Sequence, residues 1–431
     1  MTRLLRILWT YWNATSTRFD SRYHLEVYQD YRIYRHLTWL AESSSYFAPY
    51  AGKPLAQWPI MDKNIMMDNF DAMNTAGLAL DDVFNVALKS EQDRDFAPML
   101  NGYTVGLSSG TSARRGVFVA SPQERAAWAG TMLAKALPRG LFAGERVALF
   151  LRANSSLYSA VESRWLTFRF FDLFTAFDEH LGPLQDYAPT IIVAPAQVLR
   201  QLALAKLEGK LPAVAPVKVI SAAEVLEPAD RALITQAFGQ VHEVYQATEG
   251  FLASTCSHGT LHLNEEFVHV EPEWIDASQD RFVPLITDFT RTTQPIVRYR
   301  LNDVLVRRRE PCPCGSFAMA LSAIEGRCDD MLELSDDVGR PVRVFADMVS
   351  RALAQVLPMI ADYALVQTGP NALRLTADLP KAQLEAVQQH VNNRLASVGV
   401  SITTLQWTLE SAAPATSLTA KRRRIRKDFT K

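Results

Sequence analysis

The segment LSSGTSARRG, residues 107–116, gathers four hydroxyl side chains around Gly110 and follows them with Arg114 and Arg115. This is poor material for a helix or a strand, and its chemistry is that of a loop holding a polyphosphate. Glycine lets the backbone approach closely enough to offer N–H groups. Ser108, Ser109, Thr111 and Ser112 add hydroxyls, and Arg114 or Arg115 adds positive charge. The glycine–lysine–serine/threonine ending of a Walker loop is absent. Taken alone, a serine-rich surface loop explains the segment as well.

Two further clusters carry chemistry. Cys256 and His262 stand in CSHGTLH, and Cys312 and Cys314 form a CPCG turn further on. Three thiolates and an imidazole are the tetrahedral ligand set of structural zinc. His258 is a substitute ligand, and Cys328 lies outside the set. Four cysteines in a chain this long do not make a disulfide scaffold. The tail KRRRIRK, residues 421–427, packs six basic residues into seven positions and reads as a solvated or phosphate-attracted face.

The elements that must position these groups alternate along the chain. YTVGL before the hydroxyl loop and GVFVA after it read as strands. SPQERAAWAGTMLAKALP then starts a helix, with Ser121 as N-cap, Pro122 at the first position and Glu124 completing a capping box. Short apolar runs in RVALFL, TIIVAP, VKVISAAE and VHEVYQATEG, separated by helical stretches such as PAQVLRQLALAKL, predict an α/β core. From LHLNEEFVHVEPE to PIVRYRLNDVLVRRR the period changes to two, which predicts a β-rich subdomain. Dense aromatics over 21–41 suit a packed helix. The last hundred residues read as a separate α-β-β-α-β unit. Val349, Leu353, Val356 and Leu357 make one helical stripe, and Leu384, Val387, Val391 and Leu395 another. A hairpin turns at 369–371, and VSITTLQWTL is the final strand.

Bulk properties set the frame. At 431 residues and 48% hydrophobic composition, the chain has room for a large globular domain and a small one. A formal net charge of -1 argues against a global nucleic-acid or membrane-surface role. No apolar run approaches the ~20 residues of a membrane span. MTRLLRILWTYW is basic and apolar but interrupted by arginine, so it reads as an amphipathic helix rather than a signal peptide, and a cytoplasmic protein is expected.

The order SSGTS, SAAE, YQATEG, RYRLND and EGRCDD resembles the adenylate-forming ligase superfamily. The branch it is most similar to is that of the phenylacetate–coenzyme A ligases and the related synthetases that adenylate a deazaflavin coenzyme. FLRANSSLYSAV and RFFDLF resemble the second group. The resemblance runs from about Gly102 to the C-terminus. It implies a large α/β adenylate-forming domain over 1–328, with mixed sheets, helices and a β-rich subdomain, and a small α+β C-terminal lid domain over 329–431. The activity implied is ATP-dependent conversion of a carboxylic acid into its mixed anhydride with AMP, with loss of pyrophosphate. That chemistry needs in-line placement of the acid oxygen and neutralisation of phosphate charge.

The resemblance also distributes roles. Ser108, Ser109, Gly110, Thr111 and Ser112 would hold the β- and γ-phosphates, with Ala113 where many members have glycine and Arg115 or Arg114 as the basic residue. Tyr245, beside Gln246, would stack on adenine. Thr248 would bond the phosphate region, and Glu249 would hold magnesium, which prefers one or two carboxylates plus phosphate oxygens. Ala222, Ala223 and Glu224 would line the adenine pocket, where glycine is common at the first positions. Asp303 would accept both ribose hydroxyls, although Leu301 and Asn302 replace the usual threonine and glycine. Arg298 is left as a structural ion-pair partner. Arg327 with Asp329 matches the hinge between half-reactions. Lys421, in preference to Lys427, takes the place of the catalytic lysine. Some phenylacetate–coenzyme A ligase relatives look alike at the Cys256, His262, Cys312 and Cys314 positions too.

The cofactors expected are thus ATP, magnesium and a structural zinc. The partners are a small-molecule carboxylic acid and either coenzyme A, the family default, or an amine acceptor. The deazaflavin relatives adenylate a phenol instead. Neither nucleic acid nor a membrane span is expected, and whether the chain forms a dimer is open. The cluster Trp165, Phe168, Phe170, Phe171, Phe174 and Phe177 reads as core packing before it reads as an acyl slot. Two rival classes are a nucleic-acid-binding protein using the basic tail and an inactive zinc-stapled scaffold.

Overall fold

Alternation of short apolar runs with helices does build a parallel sheet. The computed structural model describes residues 2–95, 97–108, 115–152, 162–415 and 417–429. Strands Leu166–Asp172, Glu145–Leu151, Ile191–Ala194, Lys218–Ser221 and Val241–Ala247 lie side by side and run parallel. Period two sends Ala148, Phe150 and Ile192 to one face, against the buried Leu199 and Leu202 of helix Ala196–Leu207 and Leu233 of helix Pro228–Phe238. Val147, Leu149 and Ile191 go to the other face, against Ile7 and Tyr11 of helix α1 (Arg3–Ser16) and Leu133 of helix Pro122–Ala136. Both faces are covered, as parallel sheets require.

The sheet does not stop there. After Val241–Ala247 the chain reverses at Thr248 and Glu249, and Gly250–Thr255 pairs back antiparallel. The same sheet path then runs through Leu261–Leu263, Ala320–Arg327, Asp303–Arg307, Arg281–Asp288 and Val268–Trp274. The β-rich segment is therefore an antiparallel continuation of the α/β sheet rather than a separate sheet, although it packs its own core with helix α2 (Arg22–Ser43). Strands Tyr103–Leu107 and Val117–Ala120 pair antiparallel and mount the hydroxyl loop.

Local chemistry explains the helix starts. Ser121 accepts from the Glu124 N–H, and the Glu124 carboxylate returns to Ser121, so the predicted capping box is present in full. Ser21 caps α2.

Past residue 329 a hairpin of Leu332–Ser335 and Pro341–Val344 leads into a second, four-stranded sheet with its own core. Strands Tyr363–Gly369 and Ala372–Ala377 turn where expected. Leu384, Val387, Val391 and Leu395 are all buried on helix Lys381–Ala396. Three details differ from the sequence reading. Val356 ends the helix Ala346–Val356 facing solvent, 38% exposed. The strand expected over 400–409 forms instead at Gln406–Ser411. The basic tail contributes a strand, Ile425–Lys427, parallel to Tyr363–Gly369. No helix among the described residues is long and apolar enough to cross a membrane.

Candidate active site

The C-terminal ends of the parallel strands open on a cavity of about 2450 Å³, where the sheet changes from parallel to antiparallel. Open α/β sheets bind ligands in the crevice outside the carboxyl ends of their strands. Eleven of the sequence-predicted residues line it: Ser108, Ala222, Ala223, Glu224, Tyr245, Gln246, Thr248, Glu249, Asp303, Arg327 and Lys421. Ser109, Gly110, Thr111 and Ser112 lie outside the described residues. The base of their loop is closed by two bonds: Ser108 N–H donates to the Gly116 carbonyl at 2.7 Å, and Gly116 N–H donates to Ser108 Oγ at 3.0 Å. Arg115 does not line the cavity; it forms a bidentate pair with Glu91 at 2.7 and 2.5 Å.

One strand and one reverse turn bring two acids to this cavity. Asp303 begins strand Asp303–Arg307 and receives the Tyr245 hydroxyl at 2.6 Å. Tyr245 therefore orients Asp303, a link that 57 intervening residues hide from any reading of the sequence. Glu249 takes a hydrogen bond from Tyr299. Burial pushes both carboxyls above the usual carboxylate range, with Arg291 opposing the rise at Glu249 and Tyr245, Arg327 and Lys421 opposing it at Asp303. Ala223 adopts φ 66°. A left-handed alanine costs about 1 kcal/mol, a strain that glycine would not carry.

Glu224 does more than line a pocket. Its carboxylate, 3% exposed, accepts from the Gln197 backbone and side-chain amides and from the Arg422 N–H at 3.3 Å. Gln197 Nε2 in turn donates to the Ala420 carbonyl at 2.9 Å. The residues on either side of Lys421 are thus pinned, and Lys421 projects among Arg327, Arg152, Asp303 and Glu224. Desolvation, with Arg327 and Arg152 nearby, lowers its pKa. Lys427 lies elsewhere, 3.8 Å from Glu333.

The rest of the tail corrects the solvated-face reading. Arg424 is buried and makes bonds of 2.6 and 2.8 Å to Asp230, with 2.9 Å to Glu227 and 3.1 Å to Asp362. Arg200 meets Asp230 at 3.0 Å and also donates to the Ile360 and Ala361 carbonyls. Burial would raise the Asp230 pKa, but Arg424 and Arg200 more than reverse it and hold the carboxyl below its ordinary value. Arg423 pairs with Asp330 and Arg422 with Asp362. Arg298 is the structural partner expected, bidentate to Glu271 at 3.0 Å.

Cys256, His262, Cys312 and Cys314 converge, with one ligand atom from each within 4.8 Å of all the others. The Cys256 and Cys312 sulfurs are 3.7 Å apart, and Cys314 Sγ is 3.4 Å from His262 Nε2. His262 Nδ1 faces the Ala318 carbonyl at 3.1 Å, which turns Nε2 toward the thiols. His258 is exposed and bonds Ser257 instead. Among the aromatic segment, Phe171 is buried against Phe150 and Phe174 is 58% exposed at the cavity rim, so core packing describes only part of it.

Neither a family model nor a curated protein sequence matches this chain. Solved structures do. A 2-hydroxyisobutyryl-CoA ligase in the postadenylation state with 2-HIB-AMP superposes at TM-score 0.69 and 16% identity, over 93% of this chain and 89% of that one. The same ligase with R3-HIB-AMP gives 0.66 at 17% identity and the same coverage. The amide bond synthetase McbA from Marinactinospora thermotolerans gives 0.54 at 14% identity, over 75% and 68%. The likeness establishes the fold, a large multi-sheet α/β unit followed by a small α+β unit, as that of AMP-forming ligases.

Proposed function

We propose that this chain is an ATP-dependent ligase that activates a carboxylic acid as its acyl-adenylate and passes the acyl group to an acceptor, coenzyme A first among them. One observation carries the reading. Glu249, the Tyr245–Asp303 pair and Lys421 come from three remote segments and line a single cavity. Asp303 would take the ribose hydroxyls, and Thr248 the phosphate region. The Glu249 carboxyl, buried in the cavity wall, fits a divalent ion that would supply positive charge to phosphate oxygens. Lys421 would stabilise charge on the oxygens around the α-phosphorus while the acid oxygen attacks and pyrophosphate departs.

Coenzyme A is placed first because the 2-hydroxyisobutyryl-CoA ligase aligns over 93% of this chain; the amide synthetase aligns over 75% and an anthranilate CoA ligase over 73%. The second reading, amide formation, rests on the amide synthetase alignment. The branch is that of the phenylacetate–coenzyme A ligases, a reading supported by the Cys₃His cluster. Its edges of 3.7 and 3.4 Å suit a tetrahedron with Zn–S near 2.3 Å, which puts sulfurs about 3.8 Å apart. Such a zinc would staple strand Leu261–Leu263 to the loop preceding Ala320–Arg327 and take no part in catalysis. We assign the units to 1–328 and 329–431, hinged at Arg327 and Asp329.

Exchange of labelled pyrophosphate into ATP, screened over a panel of carboxylic acids, tests the reading. Acid-dependent, magnesium-dependent exchange is expected. A protein that neither exchanges nor binds ATP in calorimetry is not such a ligase.

A further inference from the structure

The near-zero net charge of the chain conceals a local asymmetry on α1. Ile7, Thr10, Tyr11 and Ala14 of this helix are buried. Its partner helix Pro122–Ala136 approaches so closely that a Cβ on Gly130 would sit 2.4 Å from the Ile7 carbonyl oxygen. That contact fixes the roll of α1. The opposite face presents Leu5, Trp9 and Trp12 at 55%, 61% and 59% exposure, with Leu4 at 56% on its flank. The charges on the helix are Arg3 and Arg6, and no acidic residue occurs between Met1 and Phe19.

Helix α2 supplies the contrast. It too exposes large side chains, Tyr23, Val27, Tyr31, Tyr34 and, less fully, Trp39, but Glu26 and Asp30 are exposed among them and three of the five carry a hydroxyl. That face suits water. On α1 the exposed large side chains are leucine and tryptophan, and the charged residues of the helix, Arg3 and Arg6, are both positive. Leucine enters the acyl boundary, indole rings settle at headgroup level, and arginine meets lipid phosphate. A protein partner would have to offer both a flat apolar face and an acidic rim, whereas an anionic bilayer supplies both at once.

We propose that α1 is a docking helix for anionic membrane surfaces, seated through Leu4, Leu5, Trp9 and Trp12 with Arg3 and Arg6 facing the headgroups. Trp9 and Asn13 also line the central cavity, so docking sets one mouth of that cavity at the lipid surface. The proposal stands apart from the ligase reading, and its test needs no substrate.

The full-length protein is sedimented with vesicles of equal parts phosphatidylglycerol and phosphatidylcholine, and with vesicles of phosphatidylcholine alone. Binding to the anionic vesicles is expected, weakening as salt rises and largely absent with the neutral ones. Leu5→Gln with Trp12→Gln, both at exposed positions, should leave the melting temperature unchanged and weaken vesicle binding roughly tenfold or more. Arg3→Gln with Arg6→Gln should remove most of the salt dependence. Protein that stays in the supernatant at low salt overturns the proposal. So does a Leu5/Trp12 variant that binds vesicles like its parent, or equal binding to neutral vesicles. A concentration-dependent dimer in light scattering, abolished by the same double variant, would assign the face to a second copy instead.

Discussion

Two groups of carboxylates are sunk into this molecule and treated in opposite ways. Asp230 is surrounded by Arg424 and Arg200, and its pKa is driven down. Glu249 and Asp303 sit in the cavity with a tyrosine each, and burial drives their pKa values up although Arg291 opposes it at Glu249 and Arg327 and Lys421 oppose it at Asp303. Where the fold provides the counter-charge, the acid joins two parts of the chain. Where the counter-charge does not outweigh burial, the acid is left to the ligand role proposed above. The second arrangement costs stability, a common feature of sites built for ligands.

Breaking the compensated cluster should have the largest effect. Asp230→Asn leaves two buried guanidinium groups short of a partner and is expected to cost about 3–5 kcal/mol of unfolding free energy, measured by chemical denaturation. Pyrophosphate exchange should fall with it, because Arg424 and Lys421 share one segment.

Breaking the uncompensated cluster should spare the fold and remove the chemistry. Glu249→Gln is expected to lower magnesium-dependent exchange by about 10²- to 10³-fold while circular dichroism stays unchanged. Exchange at the parental rate would deny Glu249 its metal role.

Stripping the Cys₃His cluster gives an intermediate outcome. Metal analysis should find about one zinc per chain, and its removal by chelator should lower the melting temperature without touching the cavity residues. Protein purified free of chelator and still free of zinc would count against the site.

A pH series sharpens the contrast at the smallest scale. The raised carboxyls contribute stability that is full below their unfolded pKa and lost as pH rises through the folded value. Asp230 works the other way: its contribution is present above the unfolded pKa and disappears as pH falls through the lowered one. Glu249→Gln should therefore melt above its parent at pH 8 and lose that advantage toward pH 4, whereas the Asp230→Asn deficit should shrink on strong acidification. Parallel curves for the two variants would erase the distinction.

What could be read in advance follows the range of the interaction. The capping box at Ser121 and Glu124 was legible because all its partners lie within four residues. The strand runs were legible because burial on both faces demands unbroken apolar sequence. The Glu124 carboxylate, however, also accepts from the Thr292 and Thr293 N–H groups at 2.6 and 2.8 Å, tying that helix to a distant loop. No local pattern announces such a bond. The arginine run at 422–424 misled for the same reason: charge density says nothing about whether the opposing acids are water-side or buried. The motif around Tyr245 speaks to its ring alone, and nothing local announces that its hydroxyl grips an aspartate 58 positions away.

The tail of the chain has one more consequence. Gln197 and Glu224 hold the backbone on both sides of Lys421, and Asp230 holds Arg424 three positions further on. Three residues of extended chain span at most about 10 Å. The ammonium group cannot swing out on a slack tether, and the guanidinium must leave its socket in the same stroke. With Lys421 in the catalytic role proposed above, whatever withdraws it after one turnover would also dismantle the setting in which the step could run backwards.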